Sequence, residues 1–356
     1  MSSKKIGIVT IIDNKNIGNR LQNYALQEFL SENNLYSETV KNYGSVTGVL
    51  KLKSVLRSII KEKNRRLRLA RYINFRKFNK NIRLTKRVLR NNSKNKKIDT
   101  DFDYFFVGSD QVWNCNFGSF SEIYFLNFAS NNKKIAFSAS FGFNDIPEDK
   151  KDIYKKNLNK MKKISVREER GKEIIEELTG RKDIEVILDP TMLVKTEVWK
   201  KQAKKPKHLD KIKASKYILN YFLGNLSEER KSEIERVAKE NDCEIINILD
   251  RKDPFYVCGP NEFLYLEKNA FLICTDSFHS AVFAILFNRP FIVFDREDKE
   301  VKMNSRLETL LNKFGLNNQW FDKKIKNEQL ECNYSQVPQI LKEERLKAKK
   351  FIDEAT

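Results

Sequence analysis

Only two histidines occur in 356 residues. One, His279, lies in "TDSFHSAVFAILFNRPFIVFD", between an apolar strand-like run and an apolar helical run. Asp276 or Ser277 suits a helix N-cap, which puts His279 in the first turn among backbone N–H groups that lack intrahelical partners. A helix start favours an anion, so a carboxylate or phosphate group can dock there with the imidazole beside it as a proton donor. The same dipole disfavours a protonated imidazole, so Asp276 or the bound anion must offset it. The plainer alternative is a histidine satisfied by backbone in a buried turn. The other histidine, His208, sits in "KKPKHLDKIKASK", which reads as a solvated linker.

Three further clusters follow strand-like runs. In "SVREERG", Arg167 stands at a strand end, where a guanidinium can grip a carboxylate or phosphate bidentately; its alternative is an ion pair at the domain surface, and Arg170 reads as solvated. "NIGNRLQ" has neither the dinucleotide GxGxxG spacing nor a P-loop lysine. Gly18 there gives a ligand room near the backbone, and Asn19 and Gln22 have the groups to hydrogen-bond sugar hydroxyls. In "VGSDQVWN", Gly108 and Ser109 make a turn, while Ser109, Asp110 and Gln111 read as caps or as ligands.

The elements that must position these residues repeat as strand, loop and helix. "KIGIVTII", "DYFFVG", "KKIAFSAS", "KKISV" and "IEVILDP" are short continuous apolar runs, as parallel strands buried on both faces give. After a charged stretch at 201–215 the pattern restarts with "KYILNYFL", "CEIINIL", "FLICT" and "PFIVF". The expectation is two doubly wound, Rossmann-like α/β domains, at 1–200 and 216–335, followed by a mixed-charge helix at 336–356 that packs back on the first. Ligands bind such sheets beyond the carboxyl ends of the strands. The polar clusters should therefore line one crevice, with His279 and Arg167 facing each other across it.

Composition narrows the classes. The net charge of +20 suggests a nucleic-acid binder until it is mapped: 19 of 68 basic and one of 48 acidic residues fall between Lys51 and Lys97. The body is nearly neutral, and residues 51–97 read as a basic helical insert in the first domain. Leu52, Val55, Leu56, Ile59 and Ile60 carry the helical apolar spacing. That stripe either packs on the first domain or faces an anionic membrane surface. Five scattered cysteines, none in a CxxC pair, suit core residues in a reducing cytoplasm. No signal-peptide pattern, membrane span or metal-ligand motif stands out, so no metal or cofactor is expected.

The ordered set "GNRLQNYALQ", "VGSDQVWN", "SASFG", "SVRE", "LDPTML", "TDSFHSAVFAILFNRPFIVF" and "MNSRLETLLNKFGL" resembles the polysaccharide pyruvyl transferase family from about Ile6 to Leu316. The resemblance implies a glycosyltransferase-B-like fold and transfer of the pyruvyl group of phosphoenolpyruvate onto two sugar hydroxyls as a ketal, with release of phosphate. It implies a catalytic His279 and donor binding by Arg167; the local reading adds Asp276 beside the histidine and Ser277 at the donor. Acceptor binding falls to Gly18, Asn19, Gln22, Ser109, Asp110 and Gln111. Ile17 stands where the family often has an aromatic residue, and Ser280 where glycine is frequent. Ser277 stands where some members carry a basic residue, and Arg289 or Arg296 are the candidates to replace that cation. The implied partners are phosphoenolpyruvate, as co-substrate, and a sugar or lipid-linked acceptor. The implied setting is cytoplasmic, at the inner leaflet where such acceptors are carried. Two rivals remain: a glycosyltransferase of the same architecture using a nucleotide sugar, and a basic protein binding nucleic acid or an anionic surface. Strand-end polar clusters in both halves weigh against the second.

Overall fold

The computed structural model describes residues 4–13, 15–42, 65–89, 96–117, 120–297 and 305–356. The chain divides into two compact units, the first drawn from Met1–Arg57, Asn79–Val194 and Leu341–Thr356, the second from Ser58–Phe78 and Lys195–Ile340.

The first unit is built on seven parallel strands, β1 (Lys5–Val9), β2 (Tyr36–Asn42), β3 (Leu84–Leu89), β4 (Tyr104–Val107), β5 (Lys134–Ala139), β6 (Lys163–Val166) and β7 (Ile184–Val186). Their order is β3-β2-β1-β4-β5-β6-β7, the doubly wound arrangement whose strand order reverses between β1 and β4. The central strands are almost wholly buried because helices cover both faces, and the rings of Phe29, Phe106 and Phe351 all pack against Phe137 in the core. Phe351 belongs to the last helix, Val337–Ala355, whose Arg345 donates to the carbonyls of Leu193 and Val194. The mixed-charge helix thus closes the first unit, as its composition suggested.

The second unit holds β8 (Lys216–Tyr221), β9 (Cys243–Asn247), β10 (Leu272–Thr275) and β11 (Phe291–Val293), all parallel in the order β11-β10-β8-β9. Here the reversal falls between β8 and β10. The helix leaving β10, Phe278–Leu286, is buried along its whole length, which explains its apolar run without amphipathic spacing.

The basic insert differs from the expectation in two ways. Leu84–Leu89 is the edge strand β3, and the helix Arg65–Asn79 clusters with the second unit rather than the first. A buried guanidinium explains the second point. Arg71 donates to the carbonyls of Tyr256 (2.9 Å) and Cys258 (2.8 Å) and stacks over the Tyr256 ring, and Asn74 donates to Val257. Gly259 permits the approach, since a Cβ there would lie 2.9 Å from that of Asn74. The apolar stripe from Leu52 to Ile60 lies outside the described residues.

Candidate functional site

In the first unit, the reversal between β1 and β4 gathers the loop after β1, the start of the helix Ile17–Glu32 and the turn 108–111. Asn16 caps the helix by accepting from the Asn19 amide. Asn19 then becomes a hub: its Oδ1 accepts from the Asp13 amide and from Arg20, and its Nδ2 donates to Asp110 Oδ2 at 2.7 Å. Gln22 donates to Thr10 Oγ1, and Thr10 Oγ1 donates to the Ser109 carbonyl. Ser109 Oγ donates to Asp189 Oδ2 at 2.9 Å. Gly108, at φ +117°, is required here, because a Cβ would meet the Phe137 carbonyl at 2.3 Å. Gly142 lets Gln111 pass in the same way, its absent Cβ position lying 2.0 Å from Gln111 Oε1.

The sequence reading gave Gly18, Asn19, Gln22, Ser109, Asp110 and Gln111 to an acceptor. The structure brings the group together at the switch point but turns most of it inward. Gly18, Asn19, Gln22, Ser109 and Asp110 are buried, and the side chains of Asn19, Gln22, Ser109 and Asp110 bond to one another or to nearby backbone; only Gln111 is half-buried. They brace the loops, the usual fate of buried polar groups. Arg20 was missed. It is buried, donates to the Ile11 carbonyl, and burial lowers its pKa to about 10 against the opposing pull of Asp13 and Asp110. Its neighbours in sequence give no sign of this, since an arginine in the first turn of a helix ordinarily faces water.

Arg167 stands at the end of β6, as expected, but its side chain is buried and pairs with Asp189 at 2.6 Å. Asp189 also caps the short helix Pro190–Leu193 through the Thr191 amide. The ion-pair alternative holds, and in the interior rather than at the surface. Arg170 is likewise not solvated alone: it bridges Asp145, Glu173 and Glu177.

In the second unit, β10 ends in Thr275 and Ser277 is the N-cap of the helix Phe278–Leu286, although its side chain makes no capping hydrogen bond. His279 lies in the first turn, 8 % exposed, its ring edge-on to Phe278. Asp276 accepts from the amides of Leu223 (2.7 Å) and Gly224 (2.8 Å), so it ties the loop after β8 to the end of β10. Arg296, from the loop after β11, adds a salt bridge to Asp276 at 3.1 Å. Arg306, on the helix Ser305–Phe314, sits over the Phe278 ring; sequence reading had the motif but not this residue. The turn 276–279 thus carries His279, with Arg296 paired to its Asp276 and Arg306 over its Phe278.

Arg289 does not join them. It precedes β11, and Pro290 pairs with Ile273 near the start of β10, so Arg289 lies at the amino edge of the sheet while His279 lies at the carboxyl edge. Its position in sequence, ten residues after His279, hides the full strand length between them. Behind the His279 helix, Ser280 donates to Glu267 Oε1, and burial drives the Glu267 carboxyl well above its ordinary range. Among the described residues, no group of three or more His, Cys, Asp or Glu is placed to hold a metal ion.

A family model described as polysaccharide pyruvyl transferase matches residues 16–298. Comparison with curated proteins finds no sequence match. Among solved structures, the chain is similar to a Staphylococcus aureus MnaA–UDP complex at 13 % identity, covering 97 % of this chain and 90 % of that one, with a TM-score of 0.50. It is also similar to Neisseria meningitidis UDP-GlcNAc 2-epimerase bound to UDP-GlcNAc, at 13 % identity, 99 % coverage of both chains and a TM-score of 0.49. Identities this low bear on fold alone, and the fold is two Rossmann-like units of the glycosyltransferase-B-like kind.

Proposed function

The chain belongs to the polysaccharide pyruvyl transferase family, and from that premise we propose that it transfers the pyruvyl group of phosphoenolpyruvate onto a saccharide of a cell-surface polysaccharide precursor. The observation that carries the reading is the turn at the end of β10, where His279 shares a helix N-terminus with the cation Arg296, itself fixed by Asp276.

The residues suit the chemistry. His279 protonates the methylene carbon of the enol, and the electron-poor carbon that results accepts a first sugar hydroxyl. The bond to phosphate then breaks, and a second hydroxyl closes the ketal. One hydroxyl proton restores His279; the other leaves on inorganic phosphate. Ser277, Arg296 and Arg306, at the positive end of the helix Phe278–Leu286, hold the carboxylate and phosphate. Asp276 is a positioning residue, because its oxygens are engaged by the Leu223 and Gly224 amides and Arg296. Arg167 is given the same role in the first unit, since Asp189 already balances its charge. No cofactor enters beyond the co-substrate.

Inorganic phosphate release from phosphoenolpyruvate, measured with a panel of aryl and lipid-linked glycosides and followed by mass spectrometry for a product heavier by one ketal-linked pyruvyl group, tests the reading. Release of nucleoside diphosphate from a nucleotide sugar instead would replace it with the glycosyltransferase reading.

The acceptor's setting is part of the proposal. Among the described residues no helix is long and apolar enough to cross a membrane. The helix Arg65–Asn79 nevertheless exposes Leu69 and Ile73 beside several cations, which supports peripheral contact with an anionic cytoplasmic leaflet where a lipid-linked acceptor resides.

A further inference from the structure

The second unit contains a pocket of about 470 Å³ that the His279 turn does not use. It opens beside the carboxyl ends of β8 and β9, against the helix Glu228–Glu240. Its floor is a pair of carboxamides: Asn220 Nδ2 donates to Asn247 Oδ1 at 2.9 Å. Asn220 is only 7 % exposed, and its Oδ1 accepts no hydrogen bond. A buried acceptor left unmet is destabilising, so the site gains by receiving a donor. Phe222 supplies a half-buried aromatic wall. Lys231, Glu235 and Asp250 stand at the exposed mouth, and the Lys231 charge is matched by Glu228.

We propose that this pocket binds a neutral, hydroxyl-rich ring, a single pyranose unit of the saccharide acceptor. The chemistry selects the class. Two carboxylates at the mouth repel a phosphate or carboxylate, which excludes the donor. Planar carboxamides and carboxylates take hydroxyl donors in pairs, and an aromatic face suits the C–H face of a sugar ring. The volume falls within the range of small-ligand sites. The pocket also shares its rim with the reacting turn: Gly224 lines it, and the Gly224 amide is bonded to Asp276. The acceptor is thereby assigned to the loop after β8, in place of the inward-facing residues of the first unit. The inference rests on the acceptor being a saccharide, as proposed above.

Saturation-transfer NMR and calorimetry with methyl glycosides of glucose, galactose, mannose and N-acetylglucosamine test it without any turnover. At least one glycoside should bind the full chain. Its affinity should fall by about tenfold or more, at least 1.4 kcal/mol, in Phe222→Ala and in the Glu235→Ala/Asp250→Ala variant. The double variant alters exposed side chains only, so its fold is preserved; circular dichroism checks that. The assignment is overturned if no glycoside binds, if the variants bind as wild type does, or if inorganic phosphate displaces the glycoside. Glycoside binding at this pocket without phosphate release from phosphoenolpyruvate leaves the pocket standing and removes the pyruvyl-transfer reading. Transfer with an unchanged acceptor KM in both variants does the reverse.

Discussion

Arg167 and Asp189 form a 2.6 Å ion pair with side chains 1 % and 0 % exposed. Removing either partner leaves a buried charge uncompensated, which costs about 3–5 kcal/mol. Arg167→Ala and Asp189→Ala should each lower the urea unfolding free energy by that order. The double variant should lose clearly less than the sum of the two, since each single loss includes the penalty of stranding the other charge. Additive losses would mean that the pair is not coupled.

His279→Asn keeps a polar, planar side chain at the helix start but cannot protonate carbon. Turnover should fall by at least about 10²-fold, the lower end of what a positioned general acid contributes. The urea midpoint should stay near wild type. A variant that retains phosphate release at the wild-type rate would remove His279 from the chemistry.

Arg296 holds Asp276 at 3.1 Å, beside the N-cap Ser277, and in the proposed reaction its guanidinium grips the donor. Arg296→Ala removes a charged contact to the donor worth about 1.5–3 kcal/mol. The KM for phosphoenolpyruvate should rise by more than tenfold, while the affinity for a methyl glycoside stays unchanged. An unchanged donor KM would assign Arg296 to holding Asp276 alone.

The alternation of buried strands and helices was legible because β1, β4, β5, β6 and β10 are continuous apolar runs. β2 (YSETVKN) and β3 (LTKRVL) were not, since they lie toward one edge and at least half of the residues of each are polar or charged. β3 therefore read as part of a basic helical segment. At the site, the helix start at His279 followed from local capping signals, which depend on neighbours in sequence. The Arg167–Asp189 pair spans 22 residues and the Asn19–Asp110 bond 91, so no local pattern distinguished braced side chains from ligand-facing ones. The pocket at Asn220 and Asn247 has the same cause: two strand-end asparagines that look like ordinary loop residues meet only when β8 pairs β9.

Glu267 is fully buried, and its carboxyl is raised well above its ordinary 4.5 by that burial, although the bond from Ser280 opposes the shift. Between its ordinary and its raised value the folded chain binds more protons than the unfolded one. Stability from this residue is therefore present below pH 4.5 and is lost as pH rises, by at most about 1.4 kcal/mol per pH unit. Glu267→Gln, a neutral side chain that still accepts from Ser280, should flatten the pH dependence of unfolding above pH 4.5 and be relatively more stable than wild type near pH 8. Parallel wild-type and variant profiles would show that the carboxyl is ionised in place.

The helix Arg65–Asn79 has two faces with different partners. Phe75, Phe78 and the Arg71 guanidinium are buried. On another side Leu69 and Ile73, 45 % and 44 % exposed, are spaced one turn apart, with exposed Arg66, Arg76 and Lys77 in the adjoining turns and Lys80 just beyond the end. Cations flanking an exposed apolar pair are what an interfacial helix presents to a bilayer. Each cation near an anionic surface contributes about 1 kcal/mol, within roughly a Debye length of it. The protein should float with phosphatidylglycerol vesicles at low salt, be released by about 0.5 M salt, and ignore phosphatidylcholine vesicles. Neutralising Arg66, Arg76, Lys77 and Lys80 to glutamine should abolish flotation, and Leu69→Ser/Ile73→Ser should weaken it while glycoside binding persists. If flotation survives both changes, the helix is a packing element of the second unit and the acceptor meets the enzyme without it.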